Sequence, residues 1–300
     1  MFYRKQFFLT NLYSKYKFII FIHSDTHTDI PSRRKAFLTK TRFKRMSDIH
    51  VFNTWIRDMA VVTQDRQLVC YNRVCNVTLI STNTSEILSE LYLRGEPWSV
   101  CLVGSDRAAL TLSGIGKVQL LKIEGNKLVK YKLLKMMNGV YGITASGDNL
   151  VLTNSRNPWI RVISWEGKIL KEFNESQHFD RPDFITTSPD GILWIADWRK
   201  NTITKMDASL TILQTFTSPL LETPLGITAV TEDQVLVCSH DNHNIMMLQP
   251  STDTMSILLG TEDGIIEPFS LTYCPTKKNI YFAQYRPVGI HVFQIATCEP

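Results

Sequence analysis

The sequence predicts an all-β chain folded as a six-bladed β-propeller, and three observations carry that prediction. Landmarks recur along the chain, with units starting at residues 56, 97, 140, 182, 224 and 268, which are 41–44 residues apart. Each unit holds short β-branched or aromatic runs separated by Asp, Gly, Asn or Pro, the pattern of antiparallel strands. A unit of about forty residues is the size of one four-stranded blade, and residues 48–300 accommodate six of them.

The units justify themselves in order. The first runs Ile56-Arg-Asp-Met59, Asp65, Leu68-Val-Cys70 and Val77-Thr-Leu-Ile80. The second holds Pro97-Trp-Ser-Val100, Asp106, Leu110-Thr-Leu112 and Val118. The third holds Val140-Tyr-Gly-Ile143, Asp148, Val151-Leu-Thr153 and Ile160-Arg-Val-Ile163. The fourth is the clearest, with Pro182-Asp-Phe-Ile185, Ser188-Pro-Asp-Gly191, Ile192-Leu-Trp-Ile-Ala196, Asp197 and Ile203-Thr-Lys-Met206. The fifth repeats Pro224-Leu-Gly-Ile227, Leu236-Val-Cys238 and Ile245-Met-Met-Leu248. The sixth, Pro268-Phe-Ser-Leu271 with Tyr281-Phe-Ala283 and Ile290-His-Val-Phe293, is too short for a fourth strand. The unassigned run Asp48-Ile-His-Val-Phe52 is therefore expected to complete it and close the ring, since an open ring would expose edge strands.

Pro224-Leu-Gly-Ile227, Asp190-Gly191, Ala196-Asp197 and Asn242-His-Asn-Ile245 together resemble the NHL repeat, although no one blade holds every element. The resemblance covers about residues 48–300 and implies a propeller like the C-terminal region of tripartite-motif (TRIM) proteins. It does not extend to their RING and B-box zinc modules, because the first cysteine is Cys70, already inside the first blade. What it implies is a substrate-recognition part of a ubiquitin ligase, or an RNA-binding propeller, without the ligase chemistry itself.

Residues 1–47 carry no repeat landmark and read as a basic, flexible leader. They hold eleven Lys or Arg against Asp25 and Asp29, so a formal net charge of +5 for the chain divides into +9 for the leader and −4 for the body. The clusters Arg33-Arg-Lys35 and Arg42-Phe-Lys-Arg45 suit a nuclear-localisation or nucleic-acid-binding arm, or simply a solvated one. His23, Asp25, His27 and Asp29 alternate, but without cysteines or a frame they do not make a metal site. The longest apolar run there, Phe18-Ile-Ile-Phe-Ile22, falls far short of the ~20 residues that span a bilayer. The six cysteines form no CxxC pair, which argues for small buried hydrophobes rather than zinc or redox sites. The expectation is a cytoplasmic chain, nuclear if the leader clusters are read, with no membrane partner.

Within a blade, the loop between the second and third strands shares a face with the start of the innermost strand. Those loops carry Arg73, Arg156, Trp159, Trp198, Arg199, Lys200, His243, Tyr285 and Arg286, against Asp197 and Asp241. Asp65, Asp106, Asp148, Asp190 and Asp233 sit at the turns of the opposite face, where Asp bonds its own backbone. The nine residues are the expected binding set, because Arg and aromatic side chains are enriched where partners dock. The innermost strands offer Thr and apolar residues, and GxSxG, HExxH and phosphate loops are missing from the sequence. The expected function is non-enzymatic binding of a protein partner, with no cofactor and no small-molecule substrate. The alternatives are RNA binding, with Trp159 or Trp198 stacking on bases, and a metal-dependent lactonase-like hydrolase, for which His240 and His243 lack an evident third ligand.

Overall fold

The computed structural model describes residues 41–50, 54–71 and 73–297. The leader clusters at 33–35, the His23–Asp29 alternation, Val51, Phe52, Asn72 and Cys298 lie outside the described residues. Six four-stranded antiparallel sheets follow the six sequence units, and among the described residues the only helical pieces are three single 3-10 turns.

The innermost strands are Ile56–Thr63, Val100–Val103, Val140–Ser146, Phe184–Thr187, Pro224–Thr231 and Pro268–Cys274. Each neighbours the next, and the last returns to the first, so the six blades close a ring around a channel of about 320 Å³.

The core lies between blades. Leu68 and Cys70 face the second blade, whereas Val69 between them faces the sixth. Leu236 and Val237 divide in the same way between the sixth and fourth blades. A strand buried on both faces reads as a continuous apolar run, which is why the second strands carry Leu-Val-Cys and Leu-Trp-Ile-Ala rather than an alternating pattern. The outermost strands bury little: four of five residues in Ile169–Phe173 are exposed.

Closure occurs, but through a different segment from the expected one. Thr41–Arg45 pairs antiparallel with Ile290–Thr297, from Thr41 opposite Thr297 to Arg45 opposite Phe293. Of the Asp48–Phe52 run, Ile49 makes a single bridge to Ile290, and the Asp48 carboxylate lies 3.1 Å from Nδ1 of the buried His291. An outermost strand needs few apolar residues, and here Phe43 alone packs against the cluster containing Leu259 and Phe293. The closing strand thus comes from chain that composition assigned to the leader.

Of the five cysteines in the described residues, Cys70, Cys101, Cys238 and Cys274 are buried and Cys75 is exposed; all five are free thiols.

Candidate interaction face

The face where the innermost strands begin is organised by position within the repeat. The second residue of each unit forms a ring at the channel mouth: Arg57, Trp98, Tyr141, Asp183, Leu225 and Phe269. The guanidinium of Arg57 lies 4.0 Å from the Trp98 ring centroid and 5.0 Å from that of Phe269. Trp98 in turn meets Tyr141 edge-on at 4.6 Å, and Phe269 meets Phe184 at 5.5 Å and Tyr285 at 5.6 Å. A cation held between aromatic faces gains from their quadrupoles, more so when desolvated. Burial lowers the pKa of Arg57, opposed by the nearby Tyr285, Glu96 and Asp183.

The third residue of each unit packs tightly beneath that ring. A Cβ on Gly226 would sit 2.7 Å from the Ser270 backbone, and one on Gly142 would meet the Thr153 hydroxyl at 2.7 Å. In the first blade the same position is Asp58, wholly buried. It accepts from Ser99 Oγ at 2.7 Å, Val100 N–H at 2.9 Å and Ser270 Oγ at 2.9 Å. One carboxylate thus joins the first, second and sixth blades. Burial pushes its pKa up, and those bonds partly restore the charged form.

Asp183 accepts from Ser155 Oγ and from Trp198 Nε1 at 3.2 Å. Burial raises its pKa from the ordinary 3.8 to about 6, against the opposing pull of its hydrogen bonds and Arg181. Between those two values the folded chain holds a proton that the unfolded chain has released, so stability falls as pH rises from about 4 to 6. The full effect is about 2–3 kcal/mol. Thermal melts of wild type and Asp183→Asn across that range should diverge, with the variant flatter. Parallel curves would reject a proton on Asp183.

The expected binding residues divide into four groups. Arg73, Arg156, Arg199, Lys200 and Arg286 are exposed on this face. Arg199 Nε lies 3.7 Å from Asp180, and Lys200 Nζ donates to the Gln177 carbonyl at 2.5 Å. Tyr285 and Trp198 are half-buried; Tyr285 meets Trp55 at 4.8 Å and His240 at 5.6 Å. His243 is occupied structurally, its Nδ1 accepting the Glu267 N–H at 3.1 Å. Trp159 is a correction: it is buried between the second and third blades, with Arg161 over its ring at 4.2 Å. It sits at the first position of a third strand, where the side chain turns inward to the preceding blade instead of outward with the loop.

The charge division is also less simple than the loops alone suggested. The connections between blades share this face and bring Glu96, Glu175, Asp180, Glu222, Glu262, Asp263 and Glu267. The cations accordingly dominate around the first four blades, and acids around the fifth. On the opposite face the turn acids are engaged: Lys277 reaches Asp65 at 2.8 Å, Arg107 reaches Asp148 at 2.5 Å, and Asp233 accepts the Ser251 N–H at 2.7 Å. Asp197 accepts four backbone N–H groups, from Asp180, Arg181, Arg199 and Lys200, and so ties its turn to the preceding connection. Among the described residues, no three of His, Cys, Asp and Glu form a group that could hold a metal ion.

No family model and no curated protein matches the sequence, so the NHL and TRIM resemblance rests on its motifs alone. Solved structures do match in fold. A catalytically inactive virginiamycin B lyase from Staphylococcus aureus with quinupristin superposes with a TM-score of 0.64 at 16% identity, over 85% of this chain and all (100%) of that one. The RRP9 WD40 repeats give 0.64 at 9% identity, over 85% and 97%. The Swd1 propeller domain of Myceliophteria thermophila gives 0.60 at 14%, over 80% and 83%. One is an enzyme and two are WD40-type or propeller domains; the likeness is one of fold.

Proposed function

We propose that this chain is a non-enzymatic interaction module that binds a protein partner on the face bearing the channel mouth. The observation that carries the reading is the mouth itself: Arg57 held between Trp98 and Phe269, beside half-exposed Tyr285 and Trp198, with Arg73, Arg156, Arg199 and Arg286 exposed around it. Aromatic anchors with Arg at a rigid centre are what binding hot spots are made of. Support for the absence of chemistry comes from the commitments of the polar groups. Asp58 and Asp183 are each bonded to a neighbouring blade, and the channel wall otherwise offers Ser99, Cys101, Tyr273 and the threonines Thr144, Thr186, Thr187, Thr228 and Thr272.

Protein is favoured over RNA because the stacking scheme for RNA relied on Trp159, which is buried, and on Trp198, whose ring edge bonds Asp183. Within the protein-binding reading, substrate recognition for a TRIM-type ubiquitin ligase is the specific role we propose, with the ligase module supplied outside this sequence.

A partner isolated with the full chain should bind Tyr285→Ala roughly thirtyfold more weakly or worse, the loss expected of a central aromatic anchor. Arg156→Ala and Arg199→Ala should each cost less, by calorimetry on variants that melt like wild type. Binding indifferent to all of these, and to Trp198→Ala, would refute the siting. Turnover of a lactone or ester panel that requires a divalent ion would refute the non-enzymatic reading.

A further inference from the structure

One outermost strand is unlike the other five. Lys127–Lys135 is nine residues long and holds Lys127, Lys130, Lys132 and Lys135, all exposed. With the strand it pairs to, Lys117–Glu124, the hairpin carries six lysines and one acid, Glu124. Three of the remaining outermost strands, Ile87–Tyr92, Ile212–Phe216 and Thr254–Leu259, have no lysine at all, so shielding a blade edge does not require them. The register is intrinsically unfavourable: Lys117 stands opposite Lys135, and like charges directly across a ladder repel.

A bulge in the same strand shapes the patch. Leu120 pairs with Lys132 and Leu121 with Lys130, which leaves Tyr131 unopposed and turned outward. Tyr131 stacks on Trp165 at 6.1 Å with 14° between planes, Lys122 Nζ lies 4.9 Å from its ring centroid, and the ring stays half exposed. Lys132 Nζ donates to the Glu166 carbonyl at 3.0 Å, which brings the turn of the third blade alongside, with Lys168 and half-exposed Ile169 and Leu170 following it. The nearby acids are few: Glu124 faces Lys127 in the ladder, Glu166 lies in that turn, Asp148 is held by Arg107, which lies over Trp165, and Glu172 is held by Arg161 at 2.9 Å.

We propose that this rim, the outer edge of the second blade with the adjoining turn of the third, docks on an anionic bilayer surface. Lysine point charges with aromatic and aliphatic side chains among them suit a headgroup layer. A protein interface would be poor in Lys and rich in Arg. Single-stranded nucleic acid would need several ring platforms in a row, and Tyr131 is the one aromatic residue of this hairpin. The rim is a surface separate from the channel mouth. It departs from the sequence expectation of no membrane partner, which rested on the lack of a spanning run.

The test is co-sedimentation of the full chain with phosphatidylcholine vesicles, with and without phosphatidylserine. Wild type should bind only the phosphatidylserine vesicles and be released by salt. Losing Lys127, Lys130 and Lys135 to Gln together should weaken binding roughly a hundredfold, at about fivefold per lysine near the surface. Should that variant fail to melt like wild type, Ile169→Gln serves in its place and should weaken binding several-fold. Tyr285→Ala, at the mouth, should bind vesicles normally, so the two surfaces are judged apart. Equal binding to both vesicle types, or undiminished binding by the triple variant, would overturn the proposal. So would tight binding of a uridine homopolymer that the triple variant loses, which would assign the rim to nucleic acid.

Discussion

A chain beginning at residue 48 should melt roughly 10 °C below one beginning at residue 41, and should self-associate where the longer chain does not. The shorter chain keeps every unit recognisable in the sequence, yet it loses Thr41–Arg45 and with it the outer partner of Ile290–Thr297. It also loses the bond from Met46 N–H to the Val292 carbonyl at 2.8 Å and the packing of Phe43. Ladder bonds contribute about 1 kcal/mol each and an aromatic side chain about 2 kcal/mol, less the cost of ordering the segment, so a net loss of about 3–5 kcal/mol is expected. In a domain of this size each kcal/mol moves the midpoint by about 2–4 °C. The bared strand is then a template for a second copy. Scanning calorimetry and size-exclusion chromatography check both parts, and coincident melts would return the closing role to Asp48–Phe52.

Replacing Asp58 with Ala should destabilise the fold by about 3–5 kcal/mol. The substitution leaves the Ser99 and Ser270 hydroxyls and the Val100 N–H buried without their acceptor, at a point where three blades meet. Asp58→Asn should cost less, since its amide oxygen can still accept two of those bonds, but its NH₂ group then faces donors. Urea titration reads both. A loss below about 1 kcal/mol for the alanine variant would mean water replaces the carboxylate. Because the bonds link the first blade to both neighbours, the unfolding slope with urea should stay at the wild-type value, the mark of a transition in which the ring unfolds as one.

The repeat was legible because its landmarks have physical duties in the blades that carry them. Gly142 and Gly226 occupy a crowded third position, Asp197 binds four N–H groups, and the second strands are apolar because both their faces are buried. The closing strand was illegible for the converse reason. An outermost strand is wet on most of its surface, and Thr-Arg-Phe-Lys-Arg carries one apolar residue. The mouth was missed in a more instructive way. Arg57, Trp98, Tyr141 and Phe269 stand inside the very landmarks that define the units, at the position that varies. Attention to what repeats passes over the residues that differ, although their shared phase places them on one ring. Trp159 failed because loop membership was inferred from neighbours in sequence, whereas strand pairing begins at that residue, opposite Asn154.

The pairing of Thr41 with Thr297 sets an order of events during synthesis. The strand that completes the sixth blade leaves the ribosome first, and the strand it needs leaves last. At about 5–20 residues per second, the intervening chain takes on the order of 10–50 s to appear. Five blades can assemble in sequence during that interval, each on the one before it, while the early segment waits without a partner. Four of its five residues are charged or hydroxylated, a composition suited to a segment that stays in water through the delay.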